Sequence, residues 1–104
     1  MSKPLSENGA QTKTSERTQV RRPPMYKVFL VNDDYTTMEF VVYVLQTVFH
    51  KSPTEANRIM LHVHFKGRGA CGTYPFEIAE TKAKKVRSLA SAEGYPLRAD
   101  IEKA

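Results

Sequence analysis

Three polar side chains stand in a row where an apolar strand runs into an apolar helix: Asn32, Asp33 and Asp34, in the run YKVFLVNDDYTTMEFVVYVL. Two carboxylates and an amide at the end of a buried strand are costly to desolvate unless something satisfies them. A solvated turn can do so, and so can a cationic group brought by another molecule. His64 adds a further acceptor, one turn after Met60 and next to Val63. If the helices around Val41 and Met60 form a short-looped hairpin, His64 approaches the start of the first. Asn, Asp and neutral His all offer lone pairs, and three such acceptors suit the three protons of an ammonium group. Met38, Val41, Met60, Val63 and Leu97 would wall that site, methionine adapting to varied shapes. The competing reading makes Asn-Asp-Asp a turn-and-cap cluster and His64 a helix-end histidine on the carbonyl dipole.

Other chemistries fit less well. On a helix, residues two apart point about 200° from each other, so His62 and His64 share no ligand face. His50, Asp33 and Asp34 do not complete the three or four ligands of a zinc site. Cys71, between Ala70 and Gly72, reads as a small buried hydrophobe rather than a nucleophile. Gly67-Arg68-Gly69 reads as a turn, since neither a P-loop nor a dinucleotide fingerprint is present. No cofactor, no metal and no catalytic step are expected.

The elements that must position these residues follow from periodicity. Tyr26 to Val31 is β-branched and aromatic, and predicts a strand. Thr36 with Glu39 three residues on predicts a capping box that opens a helix. Its stripe is Val41, Val42, Leu45, Val48 and Phe49, widened by Phe40, Tyr43 and Val44. Such a helix, apolar almost all round, is expected at the centre of the core. Ser52-Pro53-Thr54-Glu55 opens a second helix, with Ala56, Ile59, Met60 and Val63 on one face and a stop between His64 and Gly67. Ala70 to Tyr74 is a short strand. Pro75 and Glu77 open a third helix with an inner stripe of Ala79, Ala83, Val86 and Ala90, flanked by Ile78 and Leu89 and ended by Gly94. Leu97, Ala99 and Ile101 alternate with Arg98, Asp100 and Glu102, as in a half-buried strand. The order β-α-α-β-α-β predicts an α/β (α+β) fold of two layers, a three-stranded antiparallel sheet with three helices on one face.

Composition bounds the rest. The first 24 of the 104 residues hold only Met1, Leu5, Ala10 and Val20 as apolar side chains, too few to offset the entropy of ordering them. Residues 1–24 are therefore expected to be a flexible, disordered tail and 25–104 the folded domain. The single cysteine excludes an internal disulfide and fits a reducing, cytoplasmic setting. No apolar run approaches the roughly 18 residues of a spanning helix, and the N-terminus lacks a signal peptide's apolar stretch, so no membrane is expected. The net charge of +5 raises a small RNA-associated domain as the alternative. Five basic and two acidic residues lie in the tail, leaving 11 and 9 in the domain. There Lys82, Lys84, Lys85 and Arg87 spread over a solvated helical face with no nucleic-acid motif beside them, so no nucleic acid is expected.

The ordered blocks PPMYKVFLVNDDYTTMEFVVYVL, ANRIMLHVHFKGRGACGTYPFEIAETKAKKV and GYPL together resemble the ClpS family over residues 23–104. These are bacterial adaptors that select proteins for ATP-dependent Clp proteolysis. The resemblance implies a monomer that binds the N-terminal residue of N-end-rule substrates. Asn32, Asp34 and His64, with Asp33 beside them, would accept hydrogen bonds from the substrate's α-amino group. A pocket of Leu30, Thr36, Met38, Val41, Met60, Val63 and Leu97 would select Leu, Phe, Tyr and Trp, with Met38 guarding against β-branched side chains. The tail would engage a Clp AAA+ ATPase of the ClpA type, partner of the ClpP protease. Thr37 stands where the family commonly has proline, which softens the start of the first helix but removes no acceptor.

Overall fold

The computed structural model describes residues 22–104, so the expected tail lies outside the described residues except for its last three, 22–24. Six elements follow in the expected order: β1 (Met25–Val31), α1 (Met38–Thr47), α2 (Pro53–Lys66), β2 (Arg68–Pro75), α3 (Phe76–Glu93) and β3 (Arg98–Lys103). The three strands form one antiparallel sheet in the order β2-β1-β3, and the three helices build the second layer.

Alternation along β1 decides which face the helices cover. Val28 and Leu30 are completely buried, while Phe29 between them and Val31 after them are only half-buried. Leu30 stands opposite Gly69 on β2 and Ala99 on β3, all three toward the helices. On the open face the Arg68 guanidinium lies 3.9 Å above the Phe29 ring and pairs with Glu102 on the far strand. The α3 stripe is made of small residues: Ala79, Ala83, Val86 and Ala90 are at most 1% exposed. Short side chains let this long helix lie close to the sheet. Its neighbour Ile78 stays 47% exposed, beyond the reach of that stripe.

Three details differ from the periodicity reading. Helix α1 is capped by Thr37, whose Oγ1 accepts from the Phe40 N–H at 3.1 Å, not by Thr36. Thr36 is drawn into the preceding turn instead, its N–H and hydroxyl both donated to Asp33. Helix α1 is also less central than expected. Val41, Val44 and Leu45 are buried, but Tyr43 is 49% exposed, since α2 packs along one side of this helix and Tyr95, after α3, meets it at Phe40. Strand β2 is longer at both ends than Ala70 to Tyr74, since pairing with β1 continues from Arg68 to Pro75.

Two connections fix the hairpin of α1 and α2. After α1 the chain turns through His50, whose φ of 56° is left-handed, and the Lys51 N–H returns to the Leu45 carbonyl. Lys82 from α3 donates its Nζ to the Val48 carbonyl at 2.8 Å, placing a cation at the carbonyl end of α1. Helix α2 ends at Gly67, with φ 94°, a conformation that favours glycine.

Gly69 allows β2 to approach α2 closely. A Cβ there would lie 2.9 Å from Val63 Cγ2 and 3.4 Å from His62 Cδ2. Gly69→Ala is expected to cost roughly 1–3 kcal/mol, the usual penalty of overpacking. Urea unfolding monitored by circular dichroism checks this, and a wild-type midpoint would refute the close approach.

Candidate functional site

Because α1 and α2 run antiparallel, the start of one lies beside the end of the other. Strand β1 delivers Asn32 to the same place, where its N–H donates to the Gly67 carbonyl at 2.8 Å. The result is a cleft of about 270 Å³. Asn32, Asp33, Asp34, Thr36 and His64 supply its polar lining, and Met38, Val41, Met60 and Val63 its apolar wall. Depth separates the two. Val41, Met60 and Val63 are 6, 9 and 2% exposed and form a floor, whereas Asn32, Asp34 and His64 stand exposed around it. Met38, the first residue of α1 and 42% exposed, sits between floor and rim.

The acceptors are not equivalent. Asp33 accepts from the Tyr35 N–H at 2.8 Å, the Thr36 N–H at 2.7 Å and the Thr36 hydroxyl at 2.8 Å. Its carboxylate therefore closes its own turn. Partial burial pushes its pKa up, but the bonds from Thr36 and Tyr35 outweigh that and hold it below the usual carboxylate range. Among the described residues, no hydrogen bond reaches the side chains of Asn32, Asp34 or His64. The arrangement thus presents three outward acceptors over an apolar floor. It is suited to a cation with an apolar group attached.

The other residues singled out from the sequence fall elsewhere. Leu30, fully buried, and Leu97, 4% exposed, belong to the core cluster that also contains Val41, Met60 and Val63, and they do not line the cleft. His62 points away from His64, into a small depression with Arg58, Ile59 and Gly69. Among the described residues no three His, Cys, Asp or Glu side chains converge as metal ligands. Cys71 is 1% exposed, and burial pushes its thiol up to about 12, leaving almost no thiolate. Of the basic stretch, Lys84, Lys85 and Arg87 face solvent, while Lys82 turns inward to α1 and the Tyr74 ring. No described helix is long and apolar enough to cross a membrane.

The feature that periodicity missed is the bond from Asn32 to Gly67, which carries no side-chain signature. The Asp33 turn did have one, an aspartate three residues before a threonine.

Comparison with known proteins matches this architecture. Residues 21–100 fit the family model described as ATP-dependent Clp protease adaptor protein ClpS. The ATP-dependent Clp protease adapter protein ClpS of Nitratidesulfovibrio vulgaris is 52% identical over 98 residues, covering 94% of this chain and 98% of its own length. That of Desulfatibacillum aliphaticivorans is 56% identical over 91 residues, covering 88% and 86%. The structure of Agrobacterium tumefaciens ClpS2 bound to L-phenylalaninamide superposes with a TM-score of 0.77 at 42% identity, covering 80% of this chain and 100% of that one. With sequence, fold and length in agreement, the chain belongs to the ClpS family of ATP-dependent Clp protease adaptors.

Proposed function

We propose that this protein captures the free N-terminal residue of substrate proteins when that residue is Leu, Phe, Tyr or Trp, and delivers them to a Clp AAA+ ATPase of the ClpA type for degradation by ClpP. One observation carries the reading: three outward acceptors, Asn32, Asp34 and His64, stand around an apolar floor sized for a single side chain. The cleft's 270 Å³ is small beside the roughly 300–1,000 Å³ of sites for drug-sized ligands. The ligand of the Agrobacterium relative, L-phenylalaninamide, combines an α-amine with a phenyl group.

The physics explains why only a chain terminus would serve. A free α-amine has a pKa of about 7.7–8.0 and is mostly cationic at neutral pH, whereas an internal peptide nitrogen is neutral with a single proton. An internal residue would desolvate the acceptors without pairing them, at about 1–3 kcal/mol for each group. Burying a Leu or Phe side chain on the floor contributes about 1.5–3 kcal/mol. Both halves are needed for selective capture. In this reading Asp33 organises the turn instead of touching the amine, and Leu30 and Leu97 back the floor from the core. Residues 1–24 engage the ATPase. The protein acts as a cytoplasmic monomer without cofactor or catalytic step.

Fluorescence anisotropy with peptides that differ only at residue one tests the proposal. A Phe-initiated peptide with a free amine is expected to bind, and its acetylated twin to bind at least about a hundredfold more weakly, from the lost charge-assisted bonds. Equal binding of the two would sink the reading. Affinity should also decline above about pH 8 as the peptide amine loses its proton.

Met38→Ala is expected to open the cleft to Val- and Ile-initiated peptides, narrowing their deficit against Phe. An unchanged ranking in competition binding would refute a gating role for Met38. Asp33→Ala should lower stability by about 1 kcal/mol, as for a lost cap. Asp33 is depressed in the folded state, so its contribution is full above the unfolded value near 3.8 and is lost as pH falls below that through the folded value. The gap between wild type and Asp33→Ala should therefore close in strong acid, which thermal melts across pH would show.

A further inference from the structure

An oxidisable side chain forms part of the cleft within reach of solvent. Two methionines line the apolar wall: Met60 is 9% exposed, and Met38, at the mouth, is 42% exposed. Met25 is nearly as open, at 39%, but lies at the start of β1, the opposite end of that strand from Asn32. Cys71, the ordinary competitor for oxidants, is buried with its thiol held protonated.

We propose that Met38 is a modification site, where oxidation to the sulfoxide by a peroxide-class oxidant switches off capture of apolar N-terminal side chains, and two-electron reduction by a dithiol through methionine sulfoxide reductases, which releases the oxygen as water and leaves a disulfide, restores it. This rests on the reading of the cleft as a site for peptide N-termini. In the reaction the thioether sulfur attacks one oxygen of hydrogen peroxide. An S–O bond forms as the O–O bond breaks, and the departing hydroxide takes the proton of the transferred hydroxyl to leave as water. Sulfur is oxidised by two electrons and the peroxide is reduced by two. The product replaces a soft apolar side chain with a strongly polar one. Val41, Met60 and Val63 on the floor offer the new oxygen no donor; the Thr36 hydroxyl is already donated to Asp33, and the Asn32 amide and His64 stand at the exposed rim. A Phe or Leu side chain entering the cleft would therefore either meet an unsatisfied dipole or find the mouth reshaped to keep that dipole in water.

The test uses the full chain, treated with hydrogen peroxide until peptide mass spectrometry shows one added oxygen on Met38. Affinity for a free-amine Phe peptide is measured before treatment, after it, and after repair by methionine sulfoxide reductases. The expected result is about a tenfold or greater loss, recovered on repair, with an unchanged circular dichroism spectrum. Met25→Leu should show the same loss. Met38→Leu, judged by its own ratio of treated to untreated affinity, should show almost none. Met25→Leu/Met60→Leu, which keeps Met38 as the single described methionine, should show all of it. An unchanged affinity in protein fully oxidised at Met38 would overturn the proposal, as would a loss that persists in Met38→Leu or that accompanies unfolding. If untreated protein does not distinguish the free amine from the acetylated one, the reading of the site falls first and the switch with it.

Discussion

Where β1 ends, the Asn32 N–H meets the Gly67 carbonyl at 2.8 Å, and Gly67 is also the left-handed residue that ends α2, its own N–H bonded to the Val63 carbonyl. Two distant parts of the chain are joined there. One carries Asn32 and Asp34 away from the strand, and the other carries His64 on the last turn of the helix. Without that junction the acceptors would belong to an independent loop and an independent helix end, with no fixed spacing between them. The bond is made entirely of backbone, so side-chain substitutions nearby leave it available. Gly67 is the exception, because a side chain there would have to accept a φ of 94°.

Around the junction the polar groups divide by geometry rather than by type. Asp33 and Asp34 are adjacent aspartates, yet one carboxylate is held by Thr36 and Tyr35 and the other stands free of protein donors among the described residues. The turn spends one acceptor to hold the backbone from which its neighbour projects. The same bonds draw Thr36 away from α1, leave Thr37 to cap it, and so place Met38 as the first helical residue at the mouth of the cleft.

Much of this was legible in the residues. The α3 stripe of Ala79, Ala83, Val86 and Ala90 and the alternation at Leu97, Ala99 and Ile101 reported real faces, because burial on one side imposes the period directly. The cleft residues stood out because polar side chains between two apolar elements demand a partner. What stayed hidden was non-local. The Asn32 N–H to Gly67 carbonyl bond joins residues 35 apart in the chain. The length of β2 depended on its pairing with β1. Leu30 and Leu97 resemble floor residues in every local respect, and only the packed structure shows them in the core cluster without lining the cleft.

Strand β1 has one further consequence. It is the middle strand, hydrogen-bonded on both sides, and residues 1–21 join the domain at its first end while the cleft lies at its last. Ladder bonds lie perpendicular to the strand. Tension applied along β1 from the N-terminal side therefore loads both ladders in shear, many bonds at once, instead of peeling them one by one. The cleft lies at the other end of that strand, behind both ladders that share the load.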